Sequence, residues 1–333
     1  MISYIIRRLL LLIPTVFFAL SFLFLLYFVL PGDPATLLAG GANRNVNPQT
    51  LADARHRYGL DQPLWEQFWN FWRRTIRWDL GTSFVNNRSV NDMLGEKAPR
   101  SIRLAIWATL IDIVVGISVG LISAVKRYSV LDRITTFLTA LASAIPVFVL
   151  GFVLQYFFAV YPEKHDWPQW ARLRTSRLGP DSWFAFIIPT GDQWRYLILP
   201  AIVLAAVTAA TTARMTRGSM LEVLNMDFMR TARSKGLAER TIIRRHGLRN
   251  ALIPVVTLIG INFGTAIGAA ILTETVFSWP GLGSQIADSV GRRDLPVILG
   301  FTLVVVIVFG LINLLVDLSY AWIDPRIRLG ESA

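Results

Sequence analysis

The 333-residue sequence contains no cysteine, which excludes a disulfide framework and a thiolate metal site. Histidine is nearly as scarce. His56, His165 and His246 lie far apart and form no H-E-x-x-H pair, so no candidate metal site is left. Charge is thin: 17% of residues are Asp, Glu, Lys or Arg, against about a quarter in a soluble domain. No G-x-x-x-x-G-K-[ST] occurs, so the chain has no P-loop of its own for ATP. One G-x-S-x-G match, Gly116 to Gly120, lies inside an apolar run. A nucleophile elbow needs a strand–turn–helix context; within a span these glycines read as a G-x-x-x-G packing face. With no nucleophile–base pair and no metal cluster, the expected catalytic residues are none, and a membrane-embedded enzyme is disfavoured.

What is present is hydrophobic length. Apolar residues make up 53% of the chain. A span needs about 20 apolar residues, and six runs qualify: Leu9–Leu30, Ile102–Val125, Ile134–Val160, Tyr196–Met215, Ala251–Phe277 and Val297–Ile323. The expected class is therefore an all-α polytopic membrane protein with six transmembrane helices. The first run follows Arg7 and Arg8 as a signal peptide would, but it is too long for a signal core and reads as a retained span. The net charge of +11 is scattered through loops, which suits an anionic membrane or an acidic partner better than nucleic acid. The short N-tail and the loop with Lys126, Arg127 and Arg133 are basic, so both termini are expected in the cytoplasm.

The spans divide the chain into an N-tail and first helix (1–30), an extracytoplasmic segment (31–100), a transmembrane core (101–323) with a cytoplasmic segment at 218–250, and a tail (324–333). Within 31–100, Asn47, Pro48 and Gly59 read as the cap, first turn and stop of a helix. A second helix places Leu64, Trp65, Phe68, Trp69, Trp72 and Ile76 on one face. That face suits an interfacial helix in the aromatic belt, with a substrate-gripping surface as the alternative. The outer segment Tyr161–Arg195 shows no clear period.

Asp112, Glu274 and Asp317 fall within or at the ends of spans. Such acids are costly in lipid and face a bundle interior or a watery path. Gly260, Gly264 and Gly268 recur every fourth residue in the fifth span. That stripe permits close helix approach, either inside the chain or against a second membrane protein.

The most basic stretch, "RTARSKGLAERTIIRRHGLRNALIP" (Arg230–Pro254), lies between two apolar runs. It opens on a short helix with Asn225 as candidate cap, Asp227 in the first turn and Gly236 as left-handed stop. Phe228, Thr231, Ala232 and Lys235 share a face, and Arg230 and Arg233 neighbour one another on another. Composition leaves open whether this helix lies on anionic lipid or inserts into a protein groove.

Segments in this order are recognisable: "RRLLLLIP", "LPGDPA", "YGLDQPL", "DLGTS", "LDR", "ARMTRGSMLEVLNMDFMRTARSKGL", "RNALIPVVT", "ETVFSWPGLG" and "NLLVDLSYAWIDPRIRLG". The chain resembles, almost end to end, the B-type permease subunit of bacterial dipeptide/oligopeptide (peptide/nickel group) ABC importers. The resemblance implies the ABC importer permease fold, N-in/C-in, in the bacterial inner membrane. It implies a second homologous permease, a pair of cytoplasmic ABC ATPases that use ATP and Mg, an extracytoplasmic substrate-binding protein, and no cofactor on this chain. In that family an EAA loop forms the coupling helix that docks on the ATPase. Here Gly236 matches its glycine and Ala232 its second alanine, while Arg230 and Thr231 stand at the Glu and first Ala.

The coupling residues implied are Asp227, Phe228, Met229, Arg230, Thr231, Ala232, Arg233, Lys235 and Gly236. Gly260, Gly264 and Gly268 are candidates for permease–permease packing. Asp112, Glu274, Phe277, Trp279 and Pro280 are candidates for a translocation path or gate. Peptides are the implied cargo, with nickel chelates, glutathione or another solute as alternatives. A self-sufficient channel or secondary transporter is the competing class; it predicts paired intramembrane charges and inverted repeats, neither of which stands out.

Overall fold

The computed structural model describes residues 2–29, 48–57, 59–173, 189 and 193–323. The described residues are almost entirely helical, apart from turns and one isolated antiparallel bridge between Thr82 and Ser89. Asn47, most of 174–192 and the tail from 324 lie outside them. We number the helices α1 (Ile2–Val29), α2 (Pro48–Arg57), α3 (Leu64–Ile76), α4 (Val90–Val125), α5 (Val130–Ala144), α6 (Val147–Gln155), α7 (Gln193–Leu224), α8 (Asp227–Ser234), α9 (Arg249–Val276), α10 (Leu282–Arg292) and α11 (Leu295–Ile323). Six helical stretches among the described residues are long and apolar enough to cross a membrane: Ile5–Tyr27, Val90–Val125, Val147–Lys164, Gln193–Leu224, Glu239–Ala266 and Leu295–Val316.

The third apolar run is not one helix. Expected continuous from Ile134 to Val160, it breaks between α5 and α6. Pro146 lacks an N–H and crowds the residue before it, so Ile145 takes extended angles (φ −81°, ψ 127°) and the ladder stops. The candidate span starts after the break and runs through a wider π-type turn, Tyr156–Val160, to Lys164.

The chain divides into two compact units, and the division falls within α4 and α11. The larger comprises Ser101–Trp279 and the chain from Leu311. Its centre is α7, where 61% of the apolar window is buried, so this helix is the one the others wrap. Helices α5, α6 and α9 pack on it. Its contact with α4 runs along Gly116 and Gly120. A Cβ at Gly116 would stand 2.7 Å from Thr212, and one at Gly120 2.5 Å from the Ala213 carbonyl oxygen. The G-x-S-x-G match is thus a helix-packing seam, because only a residue without a side chain lets the two backbones approach this closely.

The smaller unit comprises Ile2–Arg100 and Pro280–Gly310. Its core joins Leu20, Phe24 and Tyr27 of α1 to Leu80, Val90, Met93 and Phe301. Helix α3 lies against α1: the Trp72 ring stacks on Phe17 at 5.0 Å, and Phe71 on Phe24 at 5.7 Å. The six apolar residues expected on one face of α3 divide. Phe68 and Trp72 turn inward with Phe71, while Leu64, Trp65, Trp69 and Ile76 stay exposed. Asp294 ties the "DLGTS" loop down by accepting from Ser83 Oγ and from the Phe84 amide (2.9 Å).

Candidate functional site

Helix α8 is eight residues long, too short to be stable alone in water. What holds it is its inner side. Met229 and Ala232 are buried among Met220, Val223, Ile242 and Ala251. Gly247 makes the room: a Cβ there would meet the Met220 methyl at 2.6 Å and the Met229 methyl at 3.3 Å. Phe228, Arg230, Thr231, Arg233 and Lys235 remain exposed. Of the expected coupling residues, then, Met229 and Ala232 anchor the helix, and the others form its outer surface. Ala232 parts from Phe228, Thr231 and Lys235, with which it was expected to share a face.

The helix begins at Met226, in extended conformation, not at Asn225. Asn225 Nδ2 instead donates to the Leu221 carbonyl at 2.9 Å and closes α7. The end is as expected. Gly236 has φ +72° and donates its N–H to the Arg233 carbonyl at 2.9 Å. Arg233 forks onto Glu239 (3.0 and 3.3 Å), and Arg230 pairs loosely with Asp227 at 3.6 Å. Beyond Glu239, a π-type turn (Ile242–Leu248) leads into α9.

Sequence reasoning missed a clamp beside this helix. Asp132, 4% exposed, accepts Arg217 Nε at 2.8 Å and Nη2 at 3.0 Å, the Tyr128 amide at 2.9 Å, and Ser123 Oγ. The guanidinium and these other donors hold the Asp132 carboxyl well below the usual carboxylate range. The clamp joins the turn between α4 and α5 to the last turns of α7, from which α8 hangs. The available signal was Ser129 with Asp132 three residues on, a capping-box spacing; the Ser129 hydroxyl accepts the Asp132 amide at 3.3 Å. Nothing in the sequence pointed to Arg217 as the partner, 85 positions away.

At the far end of α9 the candidate gate residues are packed, not free. The helix closes with Ser278 left-handed (φ +48°) and the Trp279 amide on the Glu274 carbonyl at 2.8 Å. Phe277 then packs on Val203 and Leu199, and Trp279 among Leu104, Leu197 and Ala201. The Glu274 carboxylate is fully buried and accepts Ser101 Oγ. Pro280 is half-buried at the start of the smaller unit. Asp112 stands apart from Glu274, 1% exposed, with Asn262 Nδ2 at 3.5 Å from Oδ2.

The glycine stripe of α9 is mixed. Gly260 faces Val316 of this chain so closely that a Cβ would stand 2.5 Å from it. Gly264 is buried, and Gly268 is exposed with open space in front of it.

Six helical stretches long and apolar enough to cross a membrane, and a short helix anchored by Met229 and Ala232 with arginines on its outer side, are thus present among the described residues. Comparison with known proteins shows the family. Residues 116–329 match the family described as binding-protein-dependent transport system inner membrane component, and residues 1–105 match its N-terminal counterpart. The chain belongs to this family. It is an ABC importer permease subunit, a multi-pass inner-membrane protein. Among its relatives, this permease is 41% identical to the glutathione transport system permease protein GsiC of Escherichia coli over 330 residues, 98% of this chain and 99% of that one. The protein of the same name from Salmonella choleraesuis is 40% identical over the same shares. Among solved structures, one titled as an inward-facing conformation of the MetNI methionine ABC transporter superposes with a TM-score of 0.54. It is 19% identical and covers 70% of this permease and 96% of its own chain, a likeness of fold alone.

Proposed function

We propose that this permease forms half of a translocation pathway for di- and oligopeptides or for glutathione, itself a tripeptide thiol. Both termini and the 218–250 segment face the cytoplasm, and segment 31–100 faces outward. Helix α8 docks on an ATPase subunit, which hydrolyses ATP with Mg; this chain contributes no catalytic residue and binds no cofactor. A second homologous permease completes the pathway, and an extracytoplasmic binding protein delivers the cargo. The observation that carries this reading is the division of α8 into a buried anchor, Met229 and Ala232, and an exposed basic rim. A helix that lay flat on lipid would turn its whole apolar side outward; here Met229 and Ala232 are spent on the chain itself, and what is offered is a narrow rim of Arg230, Arg233 and Lys235 with Phe228 beside them.

The cargo reading is supported by the relatives, which are glutathione transport system permease proteins. It is tested by uptake into proteoliposomes holding the assembled importer and its binding protein. Radiolabelled glutathione and a dipeptide are the arms. Accumulation of either, dependent on internal ATP, supports the reading. Accumulation of nickel chelates alone contradicts it.

A further inference from the structure

The arginines after α8 form a second surface. In the one-turn stretch Glu239–Thr241, the following π-type turn and the start of α9, Arg240, Arg244, Arg245 and Arg249 are all exposed. Nine residues make about two and a half turns of an α-helix, which would set Arg240 and Arg249 on opposite sides. The wider i→i+5 turn from Ile242 to Leu248 changes that count, because residues four and five apart then share a side. By that count the four arginine positions fall on one side of the helix, and Ile242 and Gly247 are buried. Arg240, Thr241, Arg244 and Arg245 line an open recess of about 370 Å³.

None of these four guanidinium groups has an ion-pair or hydrogen-bond partner among the described residues. The acid nearest in sequence, Glu239, is taken by Arg233, and no Asp or Glu follows until Glu274. The cluster also stands where an apolar span begins: the candidate span Glu239–Ala266 contains it at its polar end. Guanidiniums at that depth meet the phosphate layer, and a fork of donors matches phosphate geometry.

We propose that Arg240, Arg244, Arg245 and Arg249 form a binding site for the headgroup of an anionic phospholipid, gathered by the π-type turn and separate from the rim of α8. The occupant is a lipid and not the ATPase, because the face is continuous with the membrane-spanning part of α9. The site's function is to fix the root of α9, so that a push on α8 moves the bundle and does not merely slide this helix end along the membrane surface.

The test uses the assembled importer, re-equilibrated in detergent with equal parts phosphatidylcholine and phosphatidylglycerol, with retained lipid read by native mass spectrometry. Wild type retains phosphatidylglycerol over phosphatidylcholine. Each Arg→Gln change at the four positions weakens that retention about fivefold. The four-fold Arg→Lys variant keeps the charge and retains most of it, which separates loss of the site from loss of the fold. Charge reversal at Arg230 and Arg233 releases the ATPase and leaves the lipid bound, so failure of the docking assignment for α8 is distinguishable. Equal retention of phosphatidylglycerol by wild type and the Gln variants overturns the proposal. So does loss of the ATPase from the Gln variants with lipid retention unchanged, which would make this face a protein-docking surface.

Discussion

Asp132 holds the last turns of α7 to the turn between α4 and α5, and its protonation state sets how firmly. Its carboxyl titrates below the ordinary value of about 3.9. A depressed folded value means that the clamp's contribution is complete above about pH 5 and is lost as the pH falls through the ordinary range and below it. Asp132→Asn removes the charge and leaves Arg217 half-satisfied, at a cost on the order of 2 kcal/mol. The melting temperature of the detergent-purified permease is expected to drop for this variant at pH 7. The gap to wild type should stay constant down to about pH 5 and narrow only in stronger acid. A gap already closing between pH 7 and pH 6 contradicts the assignment. Gly236 acts at the same scale. Its φ of +72° is unfavourable for a β-branched residue by about 1–2 kcal/mol. Gly236→Val is expected to leave ATP hydrolysis running while uptake falls, because the stop of α8 is strained; coupled transport at the wild-type rate would contradict this.

Helix α8 illustrates how much of an element a sequence carries. Its position and its glycine stop were legible, because a left-handed C′ residue is a local requirement that only a few residue types meet. Which side faces inward was not legible: Met229 is fixed by Gly247 and Met220, and that pairing exists only once α7 and α9 have packed. The same holds for α3, whose apolar residues were visible but whose division depended on Phe17 and Phe24 of α1. The break at Pro146 was available from the chemistry of the residue before proline, yet the length of the apolar run around it argued for one helix. At this scale two changes separate anchor from rim. Met229→Ala empties a buried site, a change that typically costs about 2–5 kcal/mol. It is expected to raise hydrogen exchange across 227–235 while the exposed charges stay in place. Arg230→Glu with Arg233→Glu leaves the anchor intact and is expected to reduce co-purified ATPase several-fold at physiological salt. If Met229→Ala left exchange unchanged, the anchor would lie elsewhere.

For the whole molecule, the division of labour among the α9 glycines predicts where a second permease fits. Gly260 is filled from within by Val316, so Gly260→Leu is expected to lower the yield of folded permease itself. Gly268 faces open space, and Gly268→Leu is expected to leave that yield intact while preventing recovery of the heteromeric pair by affinity purification. Recovery of an intact pair would assign Gly268 to lipid. That six stretches among the described residues are long and apolar enough to cross a membrane was legible from composition and run length alone, since a bilayer admits few solutions for satisfying backbone hydrogen bonds. The clamp and the packing of the candidate gate residues were not, because they join residues far apart in sequence, by polar contacts at Asp132 and by apolar ones at Phe277 and Trp279, and such contacts leave no period to read.

The central claim, that α8 is the surface through which an ATPase pushes this permease, is open to one direct measurement. The chain has no cysteine, so a single Phe228→Cys or Thr231→Cys change supplies a unique probe. In inside-out membrane vesicles holding the assembled importer, a short thiol–amine cross-linker is expected to join either position to the ATPase, with the yield changing when ATP is added. Labelling of the same cysteines by a membrane-impermeant reagent in intact spheroplasts, with no ATPase cross-link in the inverted vesicles, would place α8 outside the cell and contradict the account.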